Sequence, residues 1–257
     1  MAEEYGTIEV EPRNQLEAIT LARVPYRGKG IIVARYKFGL NLYSKNVKAM
    51  SNHFYNSSQF PDVTFRPATT SESISDAAYE FTEIAKPEIF NSRWFQAGRI
   101  VRAEDGVYIN PLNAITLEGV DKRVLHSLRD NSKTFGKGKK AIRLGVNDFA
   151  FVPYESFEQG VQDAEDFAES GLARGLEYVE GDVAPNLESM TLTYPNGVYV
   201  FNFDKCKEPT AKVVVLYSDR CDGGVGLFVN GNDWDDVNIG CASGVLARAE
   251  NNQGEHK

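Results

Sequence analysis

The stretch from Gly30 to Tyr43, GIIVARYKFGLNLY, decides the reading of the fold. From Ile31 onward Ala34, Tyr36, Phe38, Leu40 and Leu42 fall on one face, and Arg35, Lys37, Gly39 and Asn41 on the other. A period of two points successive side chains to opposite sides, so the pattern predicts a half-buried β-strand with a basic outer face. No carboxylate occurs between Glu17 and Asp62, whereas Arg23, Arg27, Lys29, Arg35, Lys37, Lys45 and Lys48 lie there with tyrosines and phenylalanines between them. The polar run from Ser44 to Ser58, with Asn46, Asn52, His53 and Asn56, reads as a loop or short helix leading off the strand.

Working outward, SESISDAAYEFTEIAK (71–86) carries Ile74, Ala77, Ala78, Phe81, Ile84 and Ala85 at helical spacing. Ser73 with Asp76 has the form of a capping box, and Pro87 stops the helix. The preceding TFRPATT then brings Thr69, Thr70, Ser71 and Ser73 to a helix start, where free N–H groups and the helix dipole favour a phosphate. GRIVRA and GVYINP read as strands, DKRVLHSLRD as a helix, and NSKTFGKGKK as a mobile basic loop carrying Lys133, Lys137, Lys139 and Lys140. KAIRLGVNDFAFVP, with Arg143, reads as a strand whose apolar phase shifts near Asn147 and Asp148. Beyond it, Phe157, Val161, Ala164 and Ala168 suggest a helix, TLTYPNGVYVFNFD a hairpin, KVVVLY and GVGLFV strands, and CASGVLARA a small-residue helix. The interleaving gives an α+β fold.

The 257 residues carry a net charge of −8, unevenly spread. Residues 1–143 hold 21 basic and 16 acidic side chains, whereas residues 144–257 hold 7 and 20. Between Glu155 and Glu188 ten carboxylates meet one arginine, Arg174. Such a bipolar chain can offer one basic face to a polyanion while its acidic part suppresses indiscriminate contacts. No apolar run approaches the length of a spanning helix, and MAEEYGTIEVEP lacks the form of a signal peptide, so a cytoplasmic protein without membrane partners is expected. Cys206, Cys221 and Cys241 fit neither a disulfide framework nor a zinc knuckle.

Catalytic chemistry is poorly supplied. The histidines are His53, His126 and His256, without HxxxH or HExxH spacing, and neither GxSxG nor GxxxxGK[ST] occurs. Asp233, Asp235 and Asp236 could hold a hard cation, although the EF-hand spacing is absent and an exposed turn after a strand is the better reading. No cofactor or resident metal is expected. Basic residues interleaved with aromatics instead suit a single-stranded nucleic acid, whose phosphates attract cations and whose bases stack on rings.

Four segments, in order, resemble the RAMP-superfamily backbone subunit of type I CRISPR Cascade complexes in its archaeal, I-A-like form. GIIVARYKFGLNLYSKNVKAMSN looks like that family's opening strand and Asn-containing turn, and VTFRPATTSESISDAAYEFTEIA like its strand, proline, small-residue loop and helix. KKAIRLGVNDFAFVPYES is similar to the basic turn and central strand, and MTLTYPNGVYVFNFD to a later strand with aromatics and an acidic end. The resemblance implies a modified ferredoxin-like or RRM-like palm at about 29–86, 140–153 and 190–250, with inserted fingers at about 87–139 and an inserted thumb at about 155–190. It also implies copies assembled along a crRNA beside other Cascade subunits, presenting the guide to a target nucleic acid without cleaving it. By position, Arg35, Lys37, Asn46, Lys48 and His53 would lie at the first strand and its exit. Thr70, Ser71 and Ser73 would face phosphate, and Lys133, Lys137, Lys139, Lys140 and Arg143 would form the finger-side basic surface. Two other readings are a viral or accessory self-assembling structural protein, and a metal-dependent enzyme using the cluster from Asp233 to Asp236.

Overall fold

Leu21–Tyr26 (β2) and Lys29–Gly39 (β3) are joined by two residues, Arg27 and Gly28, both with positive φ (48° and 74°). That is the sense of turn that matches the right-handed twist of a hairpin, and Gly28 adopts it at no steric cost. The structure is a computed structural model and describes residues 6–8, 21–39, 54–55, 63–83, 94–109, 122–136, 142–143, 149–194, 196–221, 224–231 and 240–248. In chain order the other strands are Gly6–Ile8 (β1), Phe54–Tyr55 (β4), Val63–Pro67 (β5), Trp94–Arg102 (β6), Gly106–Ile109 (β7), Ser132–Thr134 (β8), Ile142–Arg143 (β9), Phe149–Pro153 (β10), Gly160–Gln162 (β11), Val198–Phe201 (β12), Thr210–Cys221 (β13), Gly224–Asn230 (β14) and Gly240–Arg248 (β15). The helices are Thr70–Glu83 (α1), Lys122–Asp130 (α2), Ala164–Glu169 (α3), Gly171–Glu177 (α4) and Pro185–Thr191 (α5).

The fold is mixed α+β. Its main sheet runs β1-β2-β3-β15-β6-β13-β14-β12-β11, and β7, β10, β8 and β9 branch from β6. One edge of β15 carries β3, while the other is shared by β6 at its start and β5 further along. β15 is antiparallel to β3 and parallel to β6, so the two strands flanking it run in opposite senses.

α1, α4 and α5 cover one face. Ile74, Leu172, Leu176, Leu187 and Met190 form one core with Phe95, Ile100, Val200, Val214, Leu216 and Val229 from the strands. α2 covers part of the opposite face, where Leu125 packs with Val101, Tyr108 and Phe151. The alternation is visible in the pairs: Ile100, Ile109 and Val152 point to the first layer, while their neighbours Val101, Tyr108 and Phe151 point to the second. Residues 155–190, the expected thumb, thus supply a large share of the main core.

Several local expectations need correction. The clean alternation of β3 is interrupted, because Ala34 and Phe38 pair with Gly244 and Ala242; four steps on β3 match two on β15 across Arg35 and Lys37. CASGVLARA is the central strand β15, not a helix. Buried on both faces at Ala242, Ser243, Gly244 and Val245, it lacks the in-out contrast that marks a strand. Val161, expected inside a helix, lies on edge strand β11 at 64% exposure, and the helix starts only at Ala164. α5 ends at Thr191 and the next strand, β12, begins at Val198, so among the described residues no hairpin forms there.

Candidate nucleic-acid interface

The basic amino-terminal hairpin and the exit of β8 meet at one aromatic residue, Tyr178. α4 begins under a Ser170 cap, whose hydroxyl accepts from the Ala173 N–H at 3.2 Å, and ends at Tyr178 in the left-handed conformation (φ 56°, ψ 47°). The last carbonyls of a helix carry partial negative charge and attract cations. Arg27, at the hairpin tip, donates from Nη2 to the Tyr178 carbonyl at 3.2 Å and stands 4.8 Å from the Tyr178 ring centroid. Lys133 of β8 places its ammonium 4.8 Å from the same ring and pairs with Glu180. Phe135 packs against the ring at 5.7 Å between centroids. One turn back along α4, Arg174 donates from Nη1 to the Gly136 carbonyl at 2.8 Å.

Three cations from widely separated segments therefore gather around the end of one helix. Lys29 adds an exposed ammonium at the hairpin tip, and Arg143 lies directly across the β8–β9 ladder from Lys133. Lys133 is largely neutralised by Glu180, which leaves the exposed Arg27 and Lys29 as the solvent-facing charge of the tip.

The helix start expected to face phosphate is built differently. Thr69, Thr70, Ser71 and Ser73 are buried, and the capping box is Thr69 with Glu72 instead of Ser73 with Asp76. The Glu72 carboxylate accepts the Thr69 N–H at 2.8 Å, and the Thr69 hydroxyl accepts the Glu72 N–H at 3.2 Å. Arg66 grips the same carboxylate bidentately at 2.7 Å and 2.7 Å. Burial pushes the Glu72 carboxyl up, but Arg66 and Thr69 together outweigh it and hold the group below its ordinary range. Ser71 shares a 2.8 Å hydrogen bond with the Tyr26 hydroxyl, which ties the hairpin to α1. These hydroxyls serve the packing of α1 and do not face solvent.

Arg35 and Lys37 lie on β3, and Arg143 on β9. Asn46, Lys48, His53, Lys137, Lys139 and Lys140 lie outside the described residues, as does the cluster from Asp233 to Asp236. Among the described residues no group of three His, Cys, Asp or Glu side chains could hold a metal ion.

Two further features were not expected. A cleft of about 200 Å³ opens between α2 and the β6–β7 turn, lined by Asp105, Tyr108, His126, Arg129 and Lys207. Within it Asp105 accepts from Tyr108 at 2.9 Å and from Arg129 at 3.1 Å, and burial, then Asp105, raises the phenol well above its ordinary range. On the face away from the main core Tyr199, Phe228 and Tyr217 stack in register across β12, β14 and β13, with centroids 4.6 and 5.0 Å apart and planes 12° apart. The ring faces stack on one another, so the row stabilises the sheet and offers little free face to a base.

Arg27, Arg174 and Tyr178 were missed as site residues. The available signals were a two-residue Arg-Gly turn and a lone arginine inside an acidic run. No family model matches the chain, and neither a curated protein nor a solved structure does.

Proposed function

We propose that this protein is a non-catalytic RNA-binding subunit that holds the phosphates of a single-stranded guide, multimerises along it and leaves the bases free for a target strand. The observation that carries the reading is the meeting of the hairpin tip with the exit of β8 at Tyr178, where Arg27 and Lys133 both reach one ring and Lys29 stands exposed at the tip. Backbone contacts of this kind supply affinity without sequence preference, which suits a scaffold whose specificity comes from base pairing. In this reading the palm is the β3-β15-β6-β13 sheet with α1 across it, a rearranged relative of the ferredoxin-like or RRM-like order. Copies of the chain, other subunits of a CRISPR effector complex and a cytoplasmic location belong to the same proposal.

The test begins with the absorbance ratio of the purified protein and sequencing of any RNA it carries. A labelled single strand of a few tens of nucleotides should then bind with strong salt dependence. The double variant Arg27→Ala/Lys29→Ala should weaken it about tenfold and lower the salt slope by about 2, since each lost phosphate contact removes roughly one released counterion. Assemblies that persist after nuclease treatment and dissolve in high salt would favour the self-assembling structural protein instead, because the exposed Glu155, Glu158, Asp163, Glu165, Asp166 and Glu169 oppose the basic half.

A further inference from the structure

Arg174 is 0% exposed, yet among the described residues only its Nη1 has a hydrogen-bond partner, the Gly136 carbonyl; Nε and Nη2 have none. An arginine that has lost its water normally recovers the loss through hydrogen bonds or a carboxylate, and a buried cation without them is costly. The two unpartnered nitrogens are not an arbitrary pair. Nε–H and one Nη2–H point in the same direction and form the side-on fork with which arginine grips two oxygens of a phosphate or carboxylate. Arg27 and Lys133 both stand over the ring of Tyr178, one helical turn beyond Arg174; Glu180 pairs with Lys133 and Asp182 acts on Arg174, but neither carboxylate fills the fork.

The geometry points to an oxyanion site in which the side-on fork of Arg174 takes one phosphate group where α4 meets the exit of β8. The inference rests on the RNA-binding reading only for the source of that phosphate, which can be a backbone phosphate of the strand or free inorganic phosphate. Burial, opposed by the Asp182 carboxylate, lowers the affinity of Arg174 for its proton, and an anion in the fork would restore it. A fully covered fork also implies that covering atoms shift on binding, so free phosphate should bind in the millimolar range.

The test uses the full chain in thermal denaturation, with inorganic phosphate against chloride at matched ionic strength, and separately with a short oligouridylate. The expected result is a rise of about 3 °C with phosphate or with the oligonucleotide, lost in Arg174→Lys, which keeps the charge and removes the fork. A rise with phosphate identifies free phosphate as sufficient, and a rise with oligouridylate alone identifies the strand. A rise that persists in Arg174→Lys, or no rise with either probe, overturns the site. If that variant does not fold, the wild type decides: its most slowly exchanging arginine Nε–H resonance should shift on addition of the active probe and not of chloride, and an unmoved resonance overturns the inference. Equal RNA affinity in wild type and Arg174→Lys would sink the strand as the source while leaving the RNA-binding proposal standing.

Discussion

Glu72 and Glu177 are both buried glutamates that hold the start of a helix, and they do so in opposite electrostatic settings. Glu72 caps its own helix within a box with Thr69 and is gripped by Arg66. Glu177, 4% exposed at the end of α4, caps a neighbour: its carboxylate accepts the Asn186 N–H at 3.1 Å and the Leu187 N–H at 3.2 Å, at a start whose cap residue, Ala184, has no oxygen to offer. Burial raises Glu177 to about 7, against the pull of those N–H donors, whereas Arg66 keeps Glu72 low. Backbone donors alone thus fail to offset desolvation, and one well-placed guanidinium reverses the balance. The contrast is sharper because the nearest buried arginine on α4, Arg174, keeps its bidentate fork unpartnered.

The largest expected effect comes from removing the paired member. Glu72→Ala loses the carboxylate half of the capping box, leaving the Thr69 N–H without its acceptor, and strands Arg66; it should lower the unfolding free energy by about 3 to 4 kcal/mol in urea titrations, with Arg66's partial exposure keeping it from more. Next is the pH response of the unpaired member. A folded value raised to about 7 means that Glu177's contribution is fully present below its unfolded value and is lost as pH rises through 7. From this group alone, stability should fall by roughly 2 to 3 kcal/mol between pH 5 and pH 8. Glu177→Gln, which keeps an acceptor for α5, should flatten that segment of the stability–pH curve; an unchanged slope would refute the assignment. Glu72 has the opposite sign, contributing above its unfolded value and losing its contribution as pH falls through its depressed one. Smallest is Arg66→Ala, at about 1 kcal/mol near neutral pH because the arginine is 44% exposed. Its diagnostic is chemical: Glu72 should then titrate above its ordinary value, as Glu177 does, which carboxyl-resolved NMR can follow.

Sequence patterns located the elements that have one wet face or one clear period. α1, α2, β13 and β14 fall where KVVVLY, GVGLFV and the helical apolar spacings put them. The failures share a cause. β15 is buried on both sides, so its small residues carry no period, and Val161 belongs to an edge strand of three residues, too short to show alternation. At the candidate site, the charge pattern brought the hairpin and Lys133 into view. Nothing local could show that Tyr178 would stand between them, that Glu180 would claim Lys133, or that Thr70 and Ser73 would turn inward, because each depends on contacts between segments far apart in the chain.

The position of β15 has a consequence for synthesis. Residues 240–248 fill the slot between β3 on one edge and β5 and β6 on the other, partners made roughly 200, 180 and 150 residues earlier. A ribosome therefore releases most of the amino-terminal half with its sheet split down the middle, its strand edges unpaired until the final insert arrives. Nascent chains halted before residue 240 should be degraded quickly or held by chaperones, and a permuted chain that begins with β15 should assemble faster than the natural order.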